Sequence, residues 1–167
     1  MSSPHVTFFQ DSYNISPRGF AGLIQAVLEK KVPFRCTVHG RSMVPFICDG
    51  DVITIAPLHL RLRPGDVVAF VTPSGLQLTI HRILHCSQSG YFIKGDNNAA
   101  PDGIVPISSI IGRVVQVEHQ GRKAKFGLGV ERLIIAWLSH LGLLKPVMLR
   151  VWGVIKPFSV KRIVGNN

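Results

Sequence analysis

Between residues 34 and 119 the chain is cut by turn signals at short intervals, and this limits its folds more than any other feature. Asp49-Gly50, Pro64-Gly65, Pro73-Ser74-Gly75, Ser87–Gly90 and the stretch Gly95–Gly103 (GDNNAAPDG) separate short apolar runs. Gly and Asn tolerate the backbone of tight turns, and Pro presets φ, so such clusters end regular elements. Runs this short read as strands: Phe34–His39, Asp51–Ala56, Asp66–Val71, Leu76–His85, Tyr91–Lys94 and Ser109–Glu118. Asp66–Val71 is largely apolar and predicts a strand buried on both faces. Leu76–His85 alternates, with Leu76, Leu78, Ile80 and Leu84 on one face and Thr79, His81 and His85 on a more polar one. The fold class is mainly β.

The flanks differ from this middle region. Ser16-Pro17 opens a helical pattern, with Ser as N-cap and Pro at the first helical position, followed by Phe20, Leu23, Ile24, Val27 and Leu28. Lys30-Lys31 closes it at the negative end of the helix dipole. We therefore divide the chain into an N-terminal helical segment (1–33), a β-rich body (34–119) and a tail (120–167). The tail contains Leu133–Leu144, then a break at Lys145-Pro146, then Val147–Ile155 carrying Arg150. No run reaches the roughly 18 charge-free residues of a membrane span. The start, MSSPHVTFFQDSYN, has neither a basic region nor a long apolar one, so no secretory signal is expected. Three cysteines, Cys36, Cys48 and Cys86, are too few for a disulfide scaffold, and their expected role is a buried structural one.

The formal net charge of +10 is unevenly placed. Residues 1–119 hold 10 Lys/Arg and 8 Asp/Glu; residues 120–167 hold 9 and 1, a local net of +8. The basicity belongs to the tail, which argues against a nucleic-acid partner for the body. In the tail, Arg132, Lys145, Arg150, Lys156, Lys161 and Arg162 interrupt apolar patches that include Trp137, Trp152 and Phe158. This pattern predicts that residues 130–160 lie on an anionic membrane surface without spanning it, making the protein peripherally membrane-associated, with a cytoplasmic location as the alternative. The competing expectation is a helical hairpin packed on the body, or a contact between copies; the oligomeric state stays open.

Four features of the body offer chemistry. Gly40-Arg41-Ser42-Met43-Val44-Pro45, followed by Asp49-Gly50-Asp51, sets a serine just after a strand and before a proline turn. Such a turn exposes the hydroxyl and frees backbone N–H groups to stabilise an oxyanion. His81, ahead of Arg82, offers an imidazole base. The loop Lys94-Gly95-Asp96-Asn97-Asn98, continuing to Asp102, offers a rigid acidic partner for it. Arg63-Pro64-Gly65-Asp66 reads as a turn feeding a core strand. His81, His85 and Cys86 do not suit a metal: four residues along a strand is about 13 Å at ~3.3 Å each, whereas zinc ligands approach to about 2 Å.

The ordered set SM-x-P, GD, R-x-GDVVxF, HRI, F-x-KGDNN with a later aspartate, and IIGRV, within residues 35–115, resembles the signal peptidase-like serine peptidases of the S24/S26 superfamily. It is most similar to the histidine-using branch of the endoplasmic reticulum and archaea. The resemblance implies a largely antiparallel β catalytic body. It also implies a Ser–His–Asp endopeptidase acting on a leader or signal-like peptide. Ser42 would be the nucleophile, His81 the base and Asp102 the orienting acid, with Asp96 as second candidate for that acid. The backbone N–H groups of Ser42 and Met43 would form the oxyanion hole. No cofactor and no metal are implied. Gly40 departs from membrane signal peptidases, which often carry an oxyanion-donating serine there; SOS-repressor relatives also have glycine at that place. The alternatives are a non-catalytic membrane-surface protein that keeps the fold and a self-cleaving regulator.

Overall fold

The computed structural model of the protein describes residues 6–8, 16–58, 61–72, 78–124, 126–144 and 146–147. The turn Pro73-Ser74-Gly75, the position Leu76, and the tail residues Lys145, Arg150, Trp152, Lys156, Phe158, Lys161 and Arg162 lie outside the described residues, as does Val147–Ile155 beyond Val147.

Among the described residues nine strands form one sheet: β1 (Val6–Phe8), β2 (Phe34–Thr37), β3 (Val52–Ala56), β4 (Val67–Val71), β5 (Leu78–Ser87), β6 (Gly90–Lys94), β7 (Gly103–Val105), β8 (Ile110–His119) and β9 (Arg122–Lys123). The order is β1-β2-β3-β8-β4-β5-β6-β7, with β9 on β8. Among the described residues every pairing is antiparallel except β1 on β2. The mainly β, antiparallel expectation therefore holds. β1, β7 and β9 were not legible, because two or three residues carry no periodicity.

Among the described residues two α-helices flank the sheet, α1 (Pro17–Glu29) and α2 (Arg132–His140). Ser16 caps α1 as its sequence requires, its Oγ accepting the Gly19 N–H at 3.2 Å. α1 buries Phe20, Ile24 and Leu28 against Phe34, Ile53, Ile55, Val67, Ala69, Val114 and Val117 of β2, β3, β4 and β8. A second core holds Leu62, Val68, Phe70, Ile83, Ile93, Val105 and Ile110. Val67 and Ala69 enter one core while Val68 and Phe70 enter the other. This is why the β4 run is apolar at consecutive positions.

β5 corrects the alternation read from its sequence. His81, Arg82, Ile83 and Leu84 are all buried, so neither face is turned to solvent here, and only His85 onward is exposed. Leu84 is the extra residue of a bulge, because Ile83 pairs with Ile93 while His85 pairs with Phe92.

α2 packs against β5 and buries Ile135, Ala136 and Ser139. It is pinned at its start, where Arg132 Nη1 forms an ion pair with Asp66 Oδ1 at 2.9 Å. At its end, Lys94 Nζ donates to the Ser139 carbonyl at 3.2 Å, where the helix dipole favours a cation. Leu133, Ile134 and Trp137 point outward, and Leu141 beyond the helix is also exposed. No described helix is long and apolar enough to cross a membrane.

Candidate active site

The chain between β2 and β3 is a tight turn built around Ser42. Its base is closed by Val38 N–H on the Asp51 carbonyl (2.9 Å) and Gly50 N–H on the Val38 carbonyl (3.0 Å). The Asp49 carboxylate accepts the Gly40 N–H at 2.8 Å. Within the turn, the N–H groups of Phe46 and Ile47 both reach the Met43 carbonyl, at 3.0 and 3.1 Å. Met43 and Ile47 are buried in the first core and anchor the turn from below. Ser42 is left half-buried at its surface. Neither its N–H nor that of Met43 has an acceptor among the described residues, so both donors are available to a ligand.

His81 faces this turn from β5, beneath a cleft of about 770 Å³. Gly40, Arg41, Ser42, His81, Asn98 and Asp102 line the cleft's polar side, and Phe20, Val38, Leu78 and Ile80 its apolar side. His81 Nδ1 lies 2.6 Å from Asp102 Oδ2. A carboxylate at that distance accepts a proton-bearing Nδ1, so Nε2 is the nitrogen left as acceptor. The His81 side chain is 6% exposed and that of Asp102 25%, so the pair is sheltered without being sealed. Ser42 Oγ makes no hydrogen bond to His81 in this arrangement.

The GDNN loop holds serine and histidine together. Asn97 N–H donates to the Ser42 carbonyl at 2.7 Å, and Asn97 Nδ2 to the Arg41 carbonyl at 3.0 Å. Gly95 sits where the two meet: a Cβ there would lie 2.8 Å from both His81 Nε2 and the Ser42 carbonyl oxygen. Only glycine permits this approach. Asp102 N–H bonds the Ile93 carbonyl at 3.0 Å, which fixes the start of the acid's backbone against β6.

Asp96 does not face His81. Its carboxylate is buried against Arg82, with Nε to Oδ1 at 2.9 Å and Nη2 to Oδ2 at 2.8 Å. The second candidate for the orienting acid is thereby corrected. Asp96 compensates a buried cation, since an unpaired charge of either sign at 0% side-chain exposure is strongly unfavourable. Arg82 was missed as a site-building residue. Its Nη1 donates to the carbonyls of Gly65 (2.9 Å) and Gly127 (2.8 Å), and its guanidinium lies 5.5 Å from the Phe46 ring centre. One side chain thus ties the HRI, KGDNN, RPGD and SMVPF segments together. The one signal in the sequence was its place next to His81.

The remaining candidates fall elsewhere. His85 stacks on Phe92 at 4.7 Å and meets His140 edge-on at 5.6 Å, away from His81. Cys86 is exposed. Cys36 is buried in the core, and burial pushes its thiol up to about 12. Cys48 does not join that core. It lies with Asp51 and His119, all three ligand atoms within 4.8 Å of one another, a grouping no local spacing announces.

A half-buried serine on a rigid turn, a sheltered His–Asp pair and two unengaged N–H groups meet around one cleft on a mainly antiparallel sheet. The Peptidase S24-like family model matches residues 12–115, well over half of the chain, and the chain belongs to that family. No curated protein matches it.

Proposed function

We propose that the protein is a serine endopeptidase, closest to the histidine-using branch of the signal peptidases, that cleaves a leader or signal-like peptide. The His81 Nδ1–Asp102 Oδ2 contact of 2.6 Å, in a cleft shared with Ser42, carries this reading. Asp102 holds the imidazole tautomer and His81 Nε2 takes the Ser42 proton as Oγ attacks the scissile carbonyl. The N–H groups of Ser42 and Met43 receive the oxyanion, and His81 then protonates the leaving amine. The acyl-enzyme is hydrolysed by water activated at the same Nε2. An apolar cleft wall of Val38, Leu78 and Ile80 suits an extended, uncharged peptide.

A second reading is cleavage in cis: α1 lends Phe20, a residue of its own first turn, to the cleft. Fluorophosphonate labelling tests both. Stoichiometric labelling at Ser42, lost in Ser42→Ala, supports the enzyme; no labelling of folded protein leaves the non-catalytic binding alternative. Cleavage of the chain itself at a rate independent of its concentration marks the cis reaction.

We further propose that residues 130–160 rest on an anionic membrane surface. The outward row Leu133, Ile134 and Trp137 on α2 supports this, since α2 buries its opposite face on β5 and has apolar area to spare.

A further inference from the structure

The turn that carries Ser42 ends in a second cluster that peptide hydrolysis does not use. Asp51 is buried, at 3% exposure, and its carboxylate is engaged at both oxygens. Oδ2 accepts the Cys48 N–H at 2.8 Å, and Oδ1 lies 2.6 Å from His119 Nδ1. The His119 side chain is 56% exposed. The Cys48 thiol has only a long contact, 3.8 Å, to the Pro45 carbonyl. Thiol, carboxylate and imidazole ligand atoms all lie within 4.8 Å of one another.

This juxtaposition comes from two rigid parts of the fold. Cys48 and Asp51 face each other across the Asp49-Gly50 turn, where Asp51 N–H also bonds the Cys48 carbonyl at 3.1 Å. His119 ends β8, and the β3–β8 register places Glu118 opposite Val52, which brings His119 beside Asp51. Among the described residues the buried carboxylate has no permanently charged cation beside it. His119 compensates it only when protonated, and solvent surrounds more than half of that ring.

We infer that Cys48, Asp51 and His119 form a binding site for a divalent cation of the zinc class, with water in the fourth position. One sulfur, one nitrogen and one oxygen donor suit Zn2+, and by the same chemistry Co2+, rather than Mg2+ or Ca2+, which select oxygen. Tetrahedral Zn2+ needs ligand atoms about 3.3–3.6 Å apart, so the 2.6 Å contact between His119 and Asp51 must open, for which the exposed His119 ring has room, and the half-buried Cys48 side chain must adjust with it. On binding, the Cys48 sulfur–hydrogen bond breaks, the sulfur electron pair goes to the metal and the proton goes to solvent; the proton between His119 Nδ1 and Asp51 Oδ1 moves to Nε2 or to solvent, which frees the Nδ1 lone pair for the metal. No oxidant or reductant is needed. The ion would brace the turn of residues 42–51 from the side opposite the cleft. This inference is independent of the peptidase reading.

The test uses the full chain with Co2+ alone and with Zn2+ alone. One equivalent of Co2+ is expected to give a thiolate-to-cobalt charge-transfer band in the near ultraviolet. The band should vanish in Cys48→Ser and persist in Cys86→Ser. His119→Gln should weaken Zn2+ binding roughly 10-fold or more. In the unmodified protein, Zn2+ should slow alkylation of Cys48 while leaving exposed Cys86 reactive, a readout that needs no variant to fold. A band that survives Cys48→Ser overturns the site. Equal alkylation rates at Cys48 with and without Zn2+ also overturn it and leave Asp51–His119 as an ion pair alone.

Discussion

Nδ1 of His81 and Oδ2 of Asp102 lie 2.6 Å apart although 21 residues separate them. The two are joined through β5, β6 and the GDNN loop, so the pair exists only when the β5–β6 register is correct. If Ser42 and His81 form one catalytic unit on this frame, Ser42→Ala and His81→Ala should each lower turnover by about 10³–10⁶, and the double variant little further. Steady-state assays on a leader-like peptide check this, alongside unchanged thermal melting. Full activity in either single variant would sink the mechanism.

The two aspartates should separate by what their loss does. Asp102→Asn should cut kcat by roughly 10²–10⁴ with a modest change in Tm, because the tautomer is disturbed and the core is not. Asp96→Asn removes the charge facing a fully buried Arg82. Breaking such a pair costs about 3–5 kcal/mol, on the order of 10 °C in Tm. Parallel melting curves and kinetics of the two variants decide the roles; the reverse pattern would exchange them.

Gly95→Ala places a methyl 2.8 Å from His81 Nε2 and from the Ser42 carbonyl oxygen. The imidazole must turn away, and because the Ser42 carbonyl is backbone, the loop or the serine turn must shift as well. Activity should fall by about 10²-fold or more, the scale of a misplaced catalytic group, while the fold stays cooperative. A crystal structure of the variant with His81 unmoved, or unaltered kinetics, would contradict this.

Glu131 gives a pH signature. Burial alone would raise its carboxyl, but N–H donors of Glu131, Gly127 and Gly129, with Arg82 nearby, outweigh it and hold the group below its ordinary 4.5. A depressed folded value means stability that is complete above the unfolded value and fades as pH falls through the folded one. Glu131→Gln should therefore be less stable than the parent near neutrality, by about 1 kcal/mol or less, with the gap closing below pH 4.5. Urea titrations across pH 3–7 (roughly the carboxylate range) check this; a gap that widens in acid would refute it.

Membrane attachment through residues 130–160 should respond to salt. Each Lys or Arg near an anionic surface contributes about 1 kcal/mol and is screened beyond a Debye length of about 8 Å at physiological ionic strength. Sedimentation with anionic vesicles should fall as salt rises and be weak with neutral ones, and Trp137→Ser or Ile134→Asp should reduce it. Alkaline carbonate should release the protein. Retention without aggregation would show a spanning tail, and salt-independent self-association would assign the apolar face to a second copy.

What was legible in the residues is what depends on local chemistry. Ser16 and Pro17 specify a helix start because capping involves neighbours three residues apart. Pro64-Gly65 and Asp49-Gly50 specify turns because Gly65 and Gly50 adopt positive φ. The apolar run of β4 announced burial on both faces. The order of SM-x-P, HRI and KGDNN carried the family through resemblance, before any contact was visible. Tertiary structure alone decided the partners. Nothing near Asp96 or Asp102 says which carboxylate meets His81; that follows from the β5–β6 pairing and from Arg82, which takes Asp96 because its own charge is buried. Leu84 and His81 cannot be assigned to faces without the bulge at Ile83–His85, which breaks the period of two. Cys48, Asp51 and His119 meet because β3 and β8 pair in one register, and a contact between distant strands leaves no periodic trace in either of them.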